Sequence, residues 1–111
     1  MKRFYRYMDE QEAKTLFTMR KVARAKGSPL RFNKGGFEEA TSGLNAVGAY
    51  GKDYLLVGIP AAGKLKSIDT EKSRLIVGYS LDDFQAFALY TLRDKKMRTI
   101  VSHNLSIITN K

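Results

Sequence analysis

The chain contains no cysteine, which excludes a disulfide framework, a thiolate metal site and a cysteine nucleophile. That absence is neutral about compartment, because core-forming chains of this size manage without cysteine in either redox environment. There is one histidine, too few for a two-histidine metal site, so no metal centre is expected. No run approaches the roughly 20 apolar residues that span a membrane. The basic N-terminus is not followed by the apolar stretch of a signal peptide. A cytoplasmic location away from membranes is the default expectation. Repeats, low-complexity tracts and linkers are also missing.

What is present suits one folded domain over residues 1–111. Hydrophobic residues make up 43% of the chain, and six Phe and six Tyr give it material for a core. The net charge of +9 is uneven. Residues 1–36 hold ten Lys/Arg against three acids, residues 37–92 five against seven, and residues 93–111 five against one. Two basic ends around a mildly acidic middle attract nucleic acid, phosphate-bearing ligands or an acidic protein partner. The same excess also keeps a small protein soluble.

Alternation in residues 3–8 predicts a strand, with Phe4, Arg6 and Met8 on one face and Tyr5 and Tyr7 on the other. Asp9 followed by Glu12 has the pattern of a capping box. The helix it opens is expected to reach about Ala23, burying Ala13, Leu16 and Phe17 and ending in a basic turn at Arg20, Lys21 and Arg24. A short strand Leu30–Asn33 and a helix carrying Phe37, Ala40, Leu44 and Val47 follow. Tyr54–Ile59 is the most apolar strand, ended by Pro60. Leu65–Ile68 suits a further short strand, and Arg74–Tyr79 an apolar one. Ser80 with Asp83 is a second cap pattern, which predicts a helix through Leu81, Phe84, Ala88 and Thr91, although the stretch from Phe84 to Leu92 is apolar enough for a strand. Met97–Ser102 reads as a strand that Leu105–Ile108 extends past a bend at His103-Asn104. The expected fold is α+β, with a mixed or antiparallel sheet of about five to six short strands and two to three helices.

Several motifs carry possible chemistry. Gly58 to Lys64 matches G-x-x-x-x-G-K after a strand, but Leu65 replaces the Mg²⁺-binding hydroxyl and no convincing helix follows. It reads as a turn that mimics a phosphate loop. His103 beside many cations suits a metal-independent ribonuclease, the imidazole moving a proton and the cations stabilising the phosphorane. It equally suits a polar strand bend. Arg20, Lys21, Arg24, Lys26, Arg31 and Lys34 form the densest basic cluster, and aromatics interleave with cations at Arg31-Phe32 and Tyr5-Arg6-Tyr7, as phosphate contact with base stacking requires. Asp82-Asp83 is an adjacent acid pair, suited to acid/base work or ribose binding and equally to helix capping.

The run from Tyr5-Arg6-Tyr7 into the acidic helix start Asp9-Glu10-Gln11-Glu12, then Leu30-Arg31-Phe32-Asn33 into Phe37-Glu38-Glu39-Ala40, and the strand to Ile59-Pro60, resembles small ADP-ribosyltransferase-like toxin and effector domains of bacteria and phages. The resemblance implies NAD as substrate, with Arg6 on its phosphate or ribose, Tyr7 against the nicotinamide and Asn33 in place of a small hydroxyl residue. It also implies a catalytic carboxylate. No E-x-E or Q-x-E stands in the C-terminal half, where Asp82, Asp83 and Gln85 are nearest. The catalytic candidates are therefore Arg6, Asp83 and His103. Two other readings fit the same residues: a nucleic-acid-binding or ribonuclease-like toxin domain, and a phage-type inhibitor that binds a host protein. A toxin would also have a cognate immunity protein as partner.

Overall fold

A computed structural model of the protein describes residues 3–23, 30–33, 53–66, 68–69, 73–76, 78–93 and 96–109. Strand β1 (Phe4–Met8) leads into helix α1 (Glu10–Met19), followed by β2 (Lys21–Ala23) and β3 (Leu30–Asn33). Then come β4 (Tyr54–Pro60), β5 (Ile68–Asp69), β6 (Ser73–Ile76) and β7 (Gly78–Ser80). A single 3₁₀ turn, Leu81–Asp83, precedes β8 (Phe84–Arg93), β9 (Lys96–His103) and helix α2 (Leu105–Thr109). The helix expected around Phe37–Val47 lies outside the described residues.

The fold is α+β, and every described strand pair is antiparallel. Seven strands form one sheet in the order β5-β6-β3-β1-β4-β8-β9, and β2 and β7 pair separately. The single strand read over Arg74–Tyr79 is thus shared between two sheets, β6 beside β3 and β7 beside β2. Side chains alternate across β1 as their spacing predicts. Phe4 and Met8 join a core with Phe32, Leu56, Leu89 and the α1 residues Ala13 and Leu16. Tyr5 points the other way, packing with Leu55, Val57, Ala88, Tyr90 and Ile108 of α2. Phe4, Phe32, Tyr79 and Phe84 run across the α1 side in tilted and edge-on ring contacts 5.3–6.2 Å apart, each worth about 0.5–1.5 kcal/mol beyond the area it buries.

Three further sequence expectations change. First, α1 stops at Met19: Arg20 takes a left-handed conformation (φ 59°), its N–H donating to the Leu16 carbonyl, and the chain turns into β2. Arg20, Lys21 and Arg24 therefore do not form a basic last turn, and Phe17 is largely exposed. Second, the cap at Ser80 is real, with the Ser80 N–H donating to Asp83 and the Asp82 N–H to Ser80, but it caps one turn. Residues 84–93 form a strand, apolar on both sides because both faces are covered. Leu81, Phe84 and Phe87 share one core because of a bulge, Ile59 pairing with Ala86 and Pro60 with Phe84 and leaving Gln85 over, whereas Ala88 packs on the opposite face. Third, Leu105–Thr109 is a short helix, because left-handed Asn104 (φ 54°) breaks β9.

Beyond Pro60 the chain turns through Ala62-Gly63 (φ 77° at Gly63), and no helix begins at Lys64. Gly58 sits inside β4 under the Phe84 ring, where a Cβ would overlap that ring. The first glycine of the phosphate-loop mimic is thus required by packing.

Arg6 is also placed by packing. It is 5% exposed, and its Nε and Nη2 donate to the two carboxylate oxygens of Glu12, both at 2.6 Å. Its guanidinium carbon lies 5.8 Å from the centre of the Phe32 ring. The Asp9 carboxylate accepts from the Glu12 N–H as the capping pattern predicts, while the Glu12 carboxylate turns inward to Arg6.

Two predictions follow for urea denaturation. Gly58→Ala should lower the unfolding free energy by about 2–3 kcal/mol through overpacking, and Phe84→Leu in the same chain should recover part of the loss. Glu12→Ala should cost about 3 kcal/mol by stranding the buried guanidinium, whereas Arg6→Met with Glu12→Leu should restore most of it.

Candidate functional site

The strand and turn ends on the α1 side border an open cleft of about 370 Å³ lined by Arg20, Leu81, Asp82, Phe84, Phe87, Val101, Ser102 and His103. Two local devices assemble it. The Leu81 N–H donates to the Arg20 carbonyl at 2.8 Å, and Lys21 pairs with Ser80 at the start of the β2–β7 ladder. Together they bring the end of α1 against the 3₁₀ turn. Opposite, the register of β8 and β9 sets His103 across from Phe87.

Leu81, Phe84 and Phe87 form a floor and are themselves nearly buried. The rim is polar. The Arg20 Nη2 donates to Asp82 Oδ1 at 3.0 Å, with both side chains more than half exposed. Such a solvated pair is worth about 0–1 kcal/mol, so the guanidinium is available for exchange with an incoming anion. The His103 ring lies 6.0 Å from the Phe87 ring, tilted by 34°. The Asn104 amide nitrogen sits 2.8 Å from the Gln85 carbonyl and 3.2 Å from His103 Nε2. With the amide nitrogen as donor to both, Nε2 is the accepting nitrogen of the ring and Nδ1 is left to carry the N–H.

The sequence-derived candidates divide between this cleft and other places. Arg20 and His103, from opposite basic ends of the chain, meet at the cleft, together with Asp82. Asp83 instead caps the 3₁₀ turn. Arg6 lies in the core on Glu12, while Tyr7 is half-buried on the opposite face of β1 with Tyr5. Asn33 stands across from Tyr5, one position out of step with Arg6. Arg6 and Tyr7 thus do not share one face. Lys21 and Arg31 lie on β2 and β3, and Arg24, Lys26 and Lys34 fall outside the described residues. Ser102 is a cleft residue that no sequence pattern marks.

Tyr79 lies near the Arg6–Glu12 pair, buried and with no hydrogen-bond partner for its hydroxyl among the described residues. Burial, and secondarily the Glu12 carboxylate, push its ionisation well above the ordinary tyrosine range. Among the described residues no three His, Asp or Glu side chains gather as metal ligands, and no helix is long and apolar enough to cross a membrane.

Arg20 holds a conformation that costs a non-glycine residue roughly 1–2 kcal/mol. Arg20→Gly should therefore melt at the same or a higher temperature than the parent in a thermal scan. A lower melting temperature would make the guanidinium a structural group rather than a ligand-facing one.

In comparisons with known proteins the chain matches no family model, no curated protein and no solved structure.

Proposed function

We propose that the protein is a nucleic-acid-binding domain that grips a backbone phosphate in the cleft between Arg20 and His103. One observation carries this reading: a guanidinium and an imidazole from the two basic ends of the chain border the same open cleft. Arg20 supplies a planar fork for phosphate oxygens, and His103 a single N–H donor. The excess of Lys and Arg in residues 1–36 and 93–111 supplies the long-range attraction.

The geometry supports this reading better than NAD binding through Arg6. A phosphate reaching Arg6 would have to displace a carboxylate that already fills its fork in the core, and breaking such a pair costs about 3–5 kcal/mol. Arg20 faces no such obstacle.

The test is fluorescence anisotropy with labelled single-stranded RNA and DNA 12-mers across a salt series. The logarithm of affinity should fall linearly with that of salt, by about 0.7 per phosphate contact. Arg20→Ala and His103→Ala should each weaken binding about tenfold, in the range of hydrogen bonds to charged groups. A flat salt response, or full affinity in both variants, rejects the proposal.

A further inference from the structure

An acidic residue in an anion-binding cleft needs a reason. Asp82 has no role in holding its own turn, since the cap uses the Ser80 hydroxyl and the Asp83 carboxylate, and Asp82 takes part in it only through its backbone N–H. Its carboxylate sits instead at the cleft rim, 3.0 Å from the Arg20 Nη2 and 76% exposed. Next to the phosphate-gripping arginine it acts as a fixed negative charge that any ligand must approach.

Resting on the nucleic-acid reading above, we propose that Asp82 is a specificity-determining residue, reducing the advantage of a dianionic terminal phosphate over a monoanionic phosphodiester that Arg20 alone would give the cleft. A phosphate that shares or replaces Asp82 on the Arg20 fork must lie within a few ångströms of the carboxylate. Each unit of ligand charge is repelled separately. At about 5 Å in a water-like dielectric, the second charge of a terminal phosphate costs about fourfold in affinity. The effect is local, and salt screens it over about 10 Å at 0.1 M, so it acts most strongly at low ionic strength. The attraction of Arg20 also grows with ligand charge, and Asp82 offsets that growth. Internal backbone positions thereby meet less competition from phosphorylated ends than Arg20 alone would allow.

The experiment titrates the intact protein with two probes at pH 8 and low salt, followed by amide chemical shifts of cleft residues in NMR spectra. Adenosine 5′-monophosphate is the dianion, its second proton being lost near pH 6. Adenylyl-3′,5′-adenosine is the monoanionic diester. Asp82→Asn should tighten the monophosphate about fourfold more than the diester. Equal tightening of the two would overturn the selectivity, leaving Asp82 a simple competitor for Arg20. Weakening of either probe would overturn it too, by making Asp82 a ligand contact. Glu10→Gln, on the exposed face of α1, raises the net charge by the same unit and should leave the ratio of the two affinities unchanged. Failure of the underlying reading is separately visible: Arg20→Ala would leave 12-mer binding intact, and both proposals would fall together.

Discussion

A guanidinium in the middle of the central strand obliges the chain to place a carboxylate beside it. Arg6 stands on β1, between β3 and β4, with Leu56 across from it on β4 and the Phe32 ring under its charge. Burying that charge unpaired would cost several kcal/mol. The first turn of α1 meets the requirement, and in doing so fixes where the helix crosses the sheet. Glu12 reaches Arg6 while its own N–H donates to the Asp9 cap, so strand, cap and helix meet at one residue. Ala13 and Leu16 then fall into the core on the same side.

This dependence explains which parts were legible in advance. The alternation of β1, the Asp9 cap and the apolar strand ended by Pro60 all express local rules, and they hold. The end of α1 did not follow from local rules, because Lys21–Ala23 finds a partner in Gly78–Ser80, far along the chain. Phe84 to Arg93 misled for a related reason. A strand covered on both faces loses its period of two, and the bulge at Gln85 puts Phe84 and Phe87 three positions apart in one core, as a helix would. The resemblance built on Arg6 drew on residue types that serve an ion pair in the core as well as they would serve a ligand.

The cleft was legible only in pieces. Arg20 and His103 each stood out by chemistry, but nothing local joins them across more than eighty positions. Their meeting depends on the β2–β7 ladder on one side and the β8–β9 register on the other. Two non-glycine residues with positive φ, Arg20 and Asn104, lie at or beside the cleft. Strain of this kind is invisible in sequence when arginine occupies a position that suits glycine.

The position of β1 has a consequence for how the chain reaches this structure. This strand is flanked by strands beginning at Leu30 and Tyr54, so none of its pairing is local. Its loops must close before it gains a single ladder, which is the entropic situation of slow folders. The β8–β9 hairpin, joined across two residues, carries no such delay. Contact order thus favours early formation of the C-terminal hairpin and later pairing of β1, the piece that joins the two wings of the sheet. Until it pairs, Arg6 stays in water, and the charge that organises the finished core is among the last groups to be buried.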